Sequence, residues 1–141
     1  MRPAFKLMAK LIIYTDGGAR GNPGPAGLGV VIYDASGRRL VAFSRYLGLS
    51  TNNQAEYQAI IAALEKAREL SGEELAFYLD SELAVKQLNH EYKVKNKDLA
   101  PLFLKIHNLS LNFKKVSYTH VTREHNQEAD TLANEAMDRG E

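Results

Sequence analysis

The chain has 141 residues, 45% apolar and 25% charged, the balance of an ordinary globular protein long enough to bury one core. Its net charge of +1 argues against a nucleic-acid binder held by charge alone, though not against an acidic centre cancelled by a basic rim. The absence of cysteine excludes disulfides and thiolate metal sites and is compatible with a reducing compartment, and no apolar run approaches the roughly 20 residues that span a bilayer; the expectation is a cytoplasmic monomer.

The opening MRPAFKLMAKL has too short an apolar stretch for a secretory signal, so residues 1–9 read as a flexible leader, with Met8 an alternative start. Leu11–Thr15, β-branched and aromatic, predicts the first strand, stopped by Asp16-Gly17-Gly18. Residues Gly17–Gly29 hold six glycines and two prolines and read as turn and loop, with a second strand from Gly27 to Tyr33. Arg39–Leu47 is the third strand, and Asp34-Ala35-Ser36-Gly37 before it has hairpin chemistry, which makes the first three strands an antiparallel meander.

The clearest helix runs from about Gln54 to Leu70, with Ala55, Ala59, Ala62, Ala63, Ala67 and Leu70 on one face and Asn52 or Asn53 as N-cap. Leu75–Leu79 is a short buried strand leading to Asp80, and Ser81 caps a second helix. Asp98 is expected to cap a third helix reaching about Leu109, with Pro101 in its first turn. Val116–Val121 and Gln127–Met137 complete the order as strand and helix. Strands separated by helices pair in parallel, so the reading is an α/β fold: a mixed five-stranded sheet, meander plus parallel strands, flanked by helices. No linker divides it, and residues 1–141 are expected to form one domain.

Four carboxylates fall where such folds collect chemistry. Asp16 and Asp80 each follow a strand, while Glu56 reads as lying in the first turn of its helix and Asp130 in the first turn or so of the last one. In α/β sheets ligands gather at the carboxyl ends of strands. Singly, each acid also suits an ordinary turn or cap. Brought together they are costly, since two carboxylates about 5 Å apart repel by roughly 3 kcal/mol at an effective dielectric of 20. Such a site holds either protons or metal, and an all-oxygen donor set points to magnesium or manganese.

Four stretches then carry a resemblance: Thr15-Asp16-Gly17-Gly18-Ala19-Arg20-Gly21-Asn22-Pro23-Gly24-Pro25, Thr51-Asn52-Asn53-Gln54-Ala55-Glu56, Leu79-Asp80-Ser81, and Asn126-Gln127-Glu128-Ala129-Asp130-Thr131-Leu132-Ala133. In order and context they resemble the type 1 ribonuclease H family, from about Leu11 to Ala136. The resemblance implies an endonuclease that cuts the RNA strand of an RNA–DNA hybrid and leaves 5′-phosphate and 3′-hydroxyl ends. It implies two Mg2+ ions, with Mn2+ as a substitute, held by Asp16, Glu56, Asp80 and Asp130, Asp16 bridging both. It also implies that Asn22, Asn52 and Asn53 read the minor groove, where the 2′-hydroxyl marks RNA, and that Thr51 and Asn96 grip a phosphate of the DNA strand.

Three departures from the family pattern stand out. Leu49 occupies a position where the phosphate pocket often has arginine. The basic helical protrusion of well-studied members is missing; Lys86, Lys93, Lys95 and Lys97, with Tyr92, either replace it in part or form a solvated loop. The loop before the last helix is compressed to Thr122-Arg123-Glu124-His125-Asn126, in which His125 is either the histidine that assists proton movement or product release, or a plain surface residue. His90, His107 and His120 read as structural or solvent-facing.

Overall fold

A computed structural model describes residues 9–141. Ten elements follow one another: β1 (Lys10–Ala19), β2 (Gly24–Asp34), β3 (Arg39–Ser50), α1 (Asn52–Glu69), β4 (Glu74–Leu79), α2 (Glu82–Leu88), α3 (Ala100–Ser110), β5 (Lys115–His120), a 3-10 turn (Arg123–His125) and α4 (Gln127–Arg139). The strands lie in the order β3-β2-β1-β4-β5, with β1–β2 and β2–β3 antiparallel and β1–β4 and β4–β5 parallel. The mixed five-stranded sheet expected from the sequence is present, meander included. Of the leader, residues 1–8 lie outside the described residues. Ala9 is tied down: its N–H donates to Glu73 Oε1 at 3.1 Å, and its carbonyl accepts from the Glu73 and Glu74 amides.

Side chains alternate across the sheet. Leu11, Ile13 and Thr15 with Leu28, Val30 and Ile32 form a fully buried face under α1, whose Ile60, Ala63, Leu64 and Ala67 are equally buried. Each such Ile or Leu contributes about 1.5–3 kcal/mol by leaving water. α4 covers the opposite face with small residues, Ala129, Ala133 and Ala136.

The glycine-rich segment corrects the sequence reading. Only residues 20–23 turn; Gly17 and Gly18 belong to β1 and Gly24 to β2, and the β1–β2 register runs on to Ala19↔Ala26. Gly21, with φ +106°, serves the turn, while Gly17 and Gly29 supply room rather than bends. A Cβ on Gly17 would stand 2.2 Å from the Ala55 carbonyl oxygen in α1, and one on Gly29 would stand 2.2 Å from that of Ala129 in α4.

Helix starts bring two more corrections. Thr51, not Asn52 or Asn53, caps α1: its hydroxyl accepts from the Gln54 amide at 3.1 Å while Gln54 Oε1 accepts from the Thr51 amide at 2.9 Å, a closed capping box. Asp98 does not cap α3. The N-cap residue is Leu99, with no side-chain cap bond, and Asn96 Oδ1 closes the turn before it by accepting from the Asp98 and Leu99 amides at 2.7 and 3.3 Å.

Candidate active site

Asp16 lies within β1, not after it, at the level where the parallel β4 ends and Asp80 begins the link to α2. Glu56 is the fifth residue of α1 and not in its first turn, and Asp130 is in the first turn of α4. Three of the four acids meet: Asp16, Glu56 and Asp80 each offer an oxygen, all within 4.8 Å of one another. Asp130 flanks this group on the Asp16 side, close enough for a hydrogen-bonding contact with Asp16. Glu56 is fixed by the Gly17 amide, which donates to its Oε1 at 2.8 Å.

Asp16 and Glu56 are both nearly sealed from solvent, 7% exposed each. Burial pushes the Asp16 carboxyl up to about 10, reinforced by the charges of Glu56 and then Asp80. Burial also lifts Glu56 to about 7, against the hydrogen bond to Asp16, the Gly17 amide and the positive charge of Arg123. Among the described residues no lysine or arginine forms an ion pair with any of the four acids. Crowded carboxylates, two of them buried and none in an ion pair, with oxygen donors only, are the donor set of a hard divalent cation.

Asn126 went unassigned in the sequence reading. It is buried, and its amide nitrogen donates to the Thr15 carbonyl at 2.9 Å and to Asp80 Oδ2 at 3.2 Å, stapling β1, the end of β4 and the start of α4. Arg123 was missed too, although it is the cation whose field reaches Glu56. His125 stays outside the acid group; it is exposed, with Nδ1 2.8 Å from Thr122 Oγ1.

The asparagines expected to meet nucleic acid are partly engaged already. Asn22 Oδ1 accepts from the Asn52 amide at 3.0 Å, and Asn52 Oδ1 accepts from the Ala19 amide at 2.9 Å, so both present their NH2 groups outward as donors. Asn53 is exposed beside them at the α1 start. The Thr51 capping bond and the Asn96 turn bond likewise leave the Thr51 hydroxyl proton and the Asn96 NH2 free to donate. Leu49 is 79% exposed and brings no charge to this edge. The segment from Glu91 to Lys97 belongs to no helix or strand: Val94 packs against the core while Lys93, Lys95 and Lys97 all face solvent. Lys86 is occupied by Glu82 at 3.6 Å and by the ring of Tyr92 at 5.1 Å.

Strand order β3-β2-β1-β4-β5 with acids at the β1–β4 junction defines a ribonuclease H-like fold. Residues 14–136 match the family described as reverse transcriptase-like. A ribonuclease H of Chlorobium phaeobacteroides is 34% identical over 147 residues, covering 93% of this chain and 97% of that protein. A bifunctional protein of Mycobacterium tuberculosis is 44% identical over 130 residues, 92% of this chain but 36% of its own length, so the chain spans about a third of that relative. Among solved structures, LC11-RNase H1 in complex with an RNA/DNA hybrid is 46% identical, with a TM-score of 0.87 over 92% of this chain and 97% of that one. The chain belongs to the type 1 ribonuclease H family.

Proposed function

We propose that this chain is a ribonuclease H, an endonuclease that hydrolyses the RNA strand of RNA–DNA hybrids and leaves 5′-phosphate and 3′-hydroxyl ends. The observation that carries the reading is the convergence of Asp16, Glu56 and Asp80 oxygens within 4.8 Å of one another, two of them buried, with Asp130 alongside. These four would hold two Mg2+ ions, or Mn2+ in their place. When bound, such a pair supplies an activated water and charge neutralisation at the phosphate. The Gly17 amide keeps Glu56 aimed at the centre, and Asn126 keeps Asp80 there. Asn22, Asn52 and Asn53 would donate to acceptors in the minor groove of the hybrid, the 2′-hydroxyl oxygen among them. Thr51 and Asn96 would donate to a phosphate of the DNA strand. His125, exposed at the entrance to α4, would assist proton movement or product release. The protein would act as a single-domain monomer in the cytoplasm; among the described residues no helix is long and apolar enough to cross a membrane.

The test is cleavage of end-labelled hybrid, RNA duplex and DNA duplex with Mg2+, Mn2+ or chelator. Cuts confined to the RNA strand of the hybrid, dependent on divalent ion and leaving 3′-hydroxyl ends, are expected. Tight binding without cleavage would make the chain a binding module, and preferential cutting of DNA duplex would assign it to another branch of nucleases.

A further inference from the structure

Asp130 differs from Glu56 and Asp80 in how it is held. Among the described residues no backbone amide or buried asparagine is hydrogen-bonded to its carboxylate, which accepts instead from Asn134, one turn further along α4. Asn134 Nδ2 donates to the Asp130 carbonyl at 3.0 Å and to Asp130 Oδ1 at 3.3 Å, while Asn134 Oδ1 accepts from Arg20 Nη2 at 3.4 Å. A guanidinium only donates and a carboxylate only accepts, so one amide between them is oriented without ambiguity. Arg20 is anchored by a second hydrogen bond, from Nη1 to Asp138.

Arg20 opens the turn that contains Asn22. On its other side the same turn is tied to the start of α1 through Asn22 and Asn52. One short segment therefore bridges the two helices that carry Glu56 and Asp130. We propose that Asn134 is a positioning residue for Asp130, and that Arg20 makes its aim depend on the turn bearing Asn22, so that seating a hybrid against that turn sets the fourth carboxylate. This rests on the ribonuclease H reading for the roles of Asp130 and Asn22.

Three variants separate the links. Asn134→Asp keeps an acceptor for Arg20 but cannot donate to Asp130, Asn134→Leu loses both bonds with a good helix former, and Arg20→Gln loosens only the anchor. Both Asn134 variants should lower kcat on hybrid about tenfold, since a misplacement of about 1 Å is enough for such losses. KM, and hybrid affinity in chelator, should stay within about twofold because no group proposed to touch the hybrid is removed. Arg20→Gln should lower kcat by a smaller factor, and add nothing to Asn134→Leu. Calorimetric Mn2+ titration without nucleic acid gives an independent readout: Asn134→Leu should weaken binding several-fold in the wild-type background and leave it unchanged when Asp130→Asn is already present. Unchanged kcat in Asn134→Leu, a loss confined to KM, or equal weakening of Mn2+ binding in both backgrounds would overturn the proposal. If the wild-type chain cuts no hybrid, the ribonuclease reading fails instead, and the Mn2+ cycle still decides the Asn134–Asp130 link.

Discussion

The two faces of the sheet hold their helices by different physics. α1 is locked by a dry interface, with Tyr57, Ile60, Ala63, Leu64 and Ala67 all at or below 1% exposure. α4 fully buries only alanines, with Leu132 and Met137 half-buried against Gly29 and Gly27. Its further ties are polar and exposed: Arg20 to Asp138, Tyr33 and Arg39 to Glu128, and Arg139 to Ser44. A packed apolar interface tolerates little displacement, whereas exposed ion pairs are each worth about 0–1 kcal/mol and weaken with salt. Glu56 thus rides on the rigid face and Asp130 on the adjustable one. The centre has one wall set by a large apolar interface and one set by small residues and surface contacts.

Replacing the acid between those walls has the largest effect. Asp16→Asn is expected to abolish cleavage, with at least a thousandfold loss in a hybrid assay, while the fold persists. Stability should respond in the opposite sense. Burial raises the folded-state pKa of Asp16 to about 10, so the chelated wild-type protein keeps its full stability while this carboxyl is protonated, below about pH 4. That stability is lost as pH rises from there toward the raised value. Asparagine never ionises. The melting temperature of Asp16→Asn in chelator should therefore exceed that of wild type, by more at pH 8 than at pH 5, with each 1 kcal/mol worth about 2–8 °C. Mg2+ should reverse the order. A variant that melts below wild type in chelator at pH 8 would show that the acids are not crowded as described.

Two glycines measure the faces directly. Gly17→Ala and Gly29→Ala each drive a methyl to 2.2 Å from a helix carbonyl, the first in α1 and the second in α4. Overpacking typically costs about 1–3 kcal/mol and more where nothing can yield. Gly17→Ala should cost at least about 3 kcal/mol in urea denaturation. Gly29→Ala should cost about half as much, fold, and lose activity because α4 takes Asp130 with it. Equal destabilisation by the two changes would erase the distinction between the faces.

Much of this was legible in the sequence, for physical reasons that name its limits. The meander and α1 showed in local periodicity, and the four acids in their placement near strand ends and helix starts. Gly17 misled because glycine serves bends and close helix contacts alike; which one depends on α1 arriving from elsewhere in the chain. Thr51 and Gln54 spell a capping box, but the two asparagines between them, good caps themselves, obscured it. Asn126 was unreadable as a staple because its partners, Thr15 and Asp80, lie 111 and 46 residues away. The Arg20–Asn134–Asp130 line is hidden in the same way, since only the folded chain brings Arg20 to α4.

His125 offers the smallest effect and the finest test of the adjustable wall. It stands next to Asn126, which grips Asp80, yet its own ring is exposed and turned to Thr122 Oγ1 at 2.8 Å, three residues back at the N-cap of the 3-10 turn. A side chain so placed reaches the reacting groups only by moving with its loop. His125→Ala should then slow multiple-turnover cleavage by about tenfold or less, the lower part of the range for a positioned proton carrier. Single-turnover rates should fall less than multiple-turnover rates if the loss lies in product release. Thr122→Ala, which frees the ring without removing it, should change either rate by less than His125→Ala does. A loss from His125→Ala near that of Asp16→Asn would place this histidine at the chemistry itself, and the wall beside α4 would have to close much further than the exposed turn suggests.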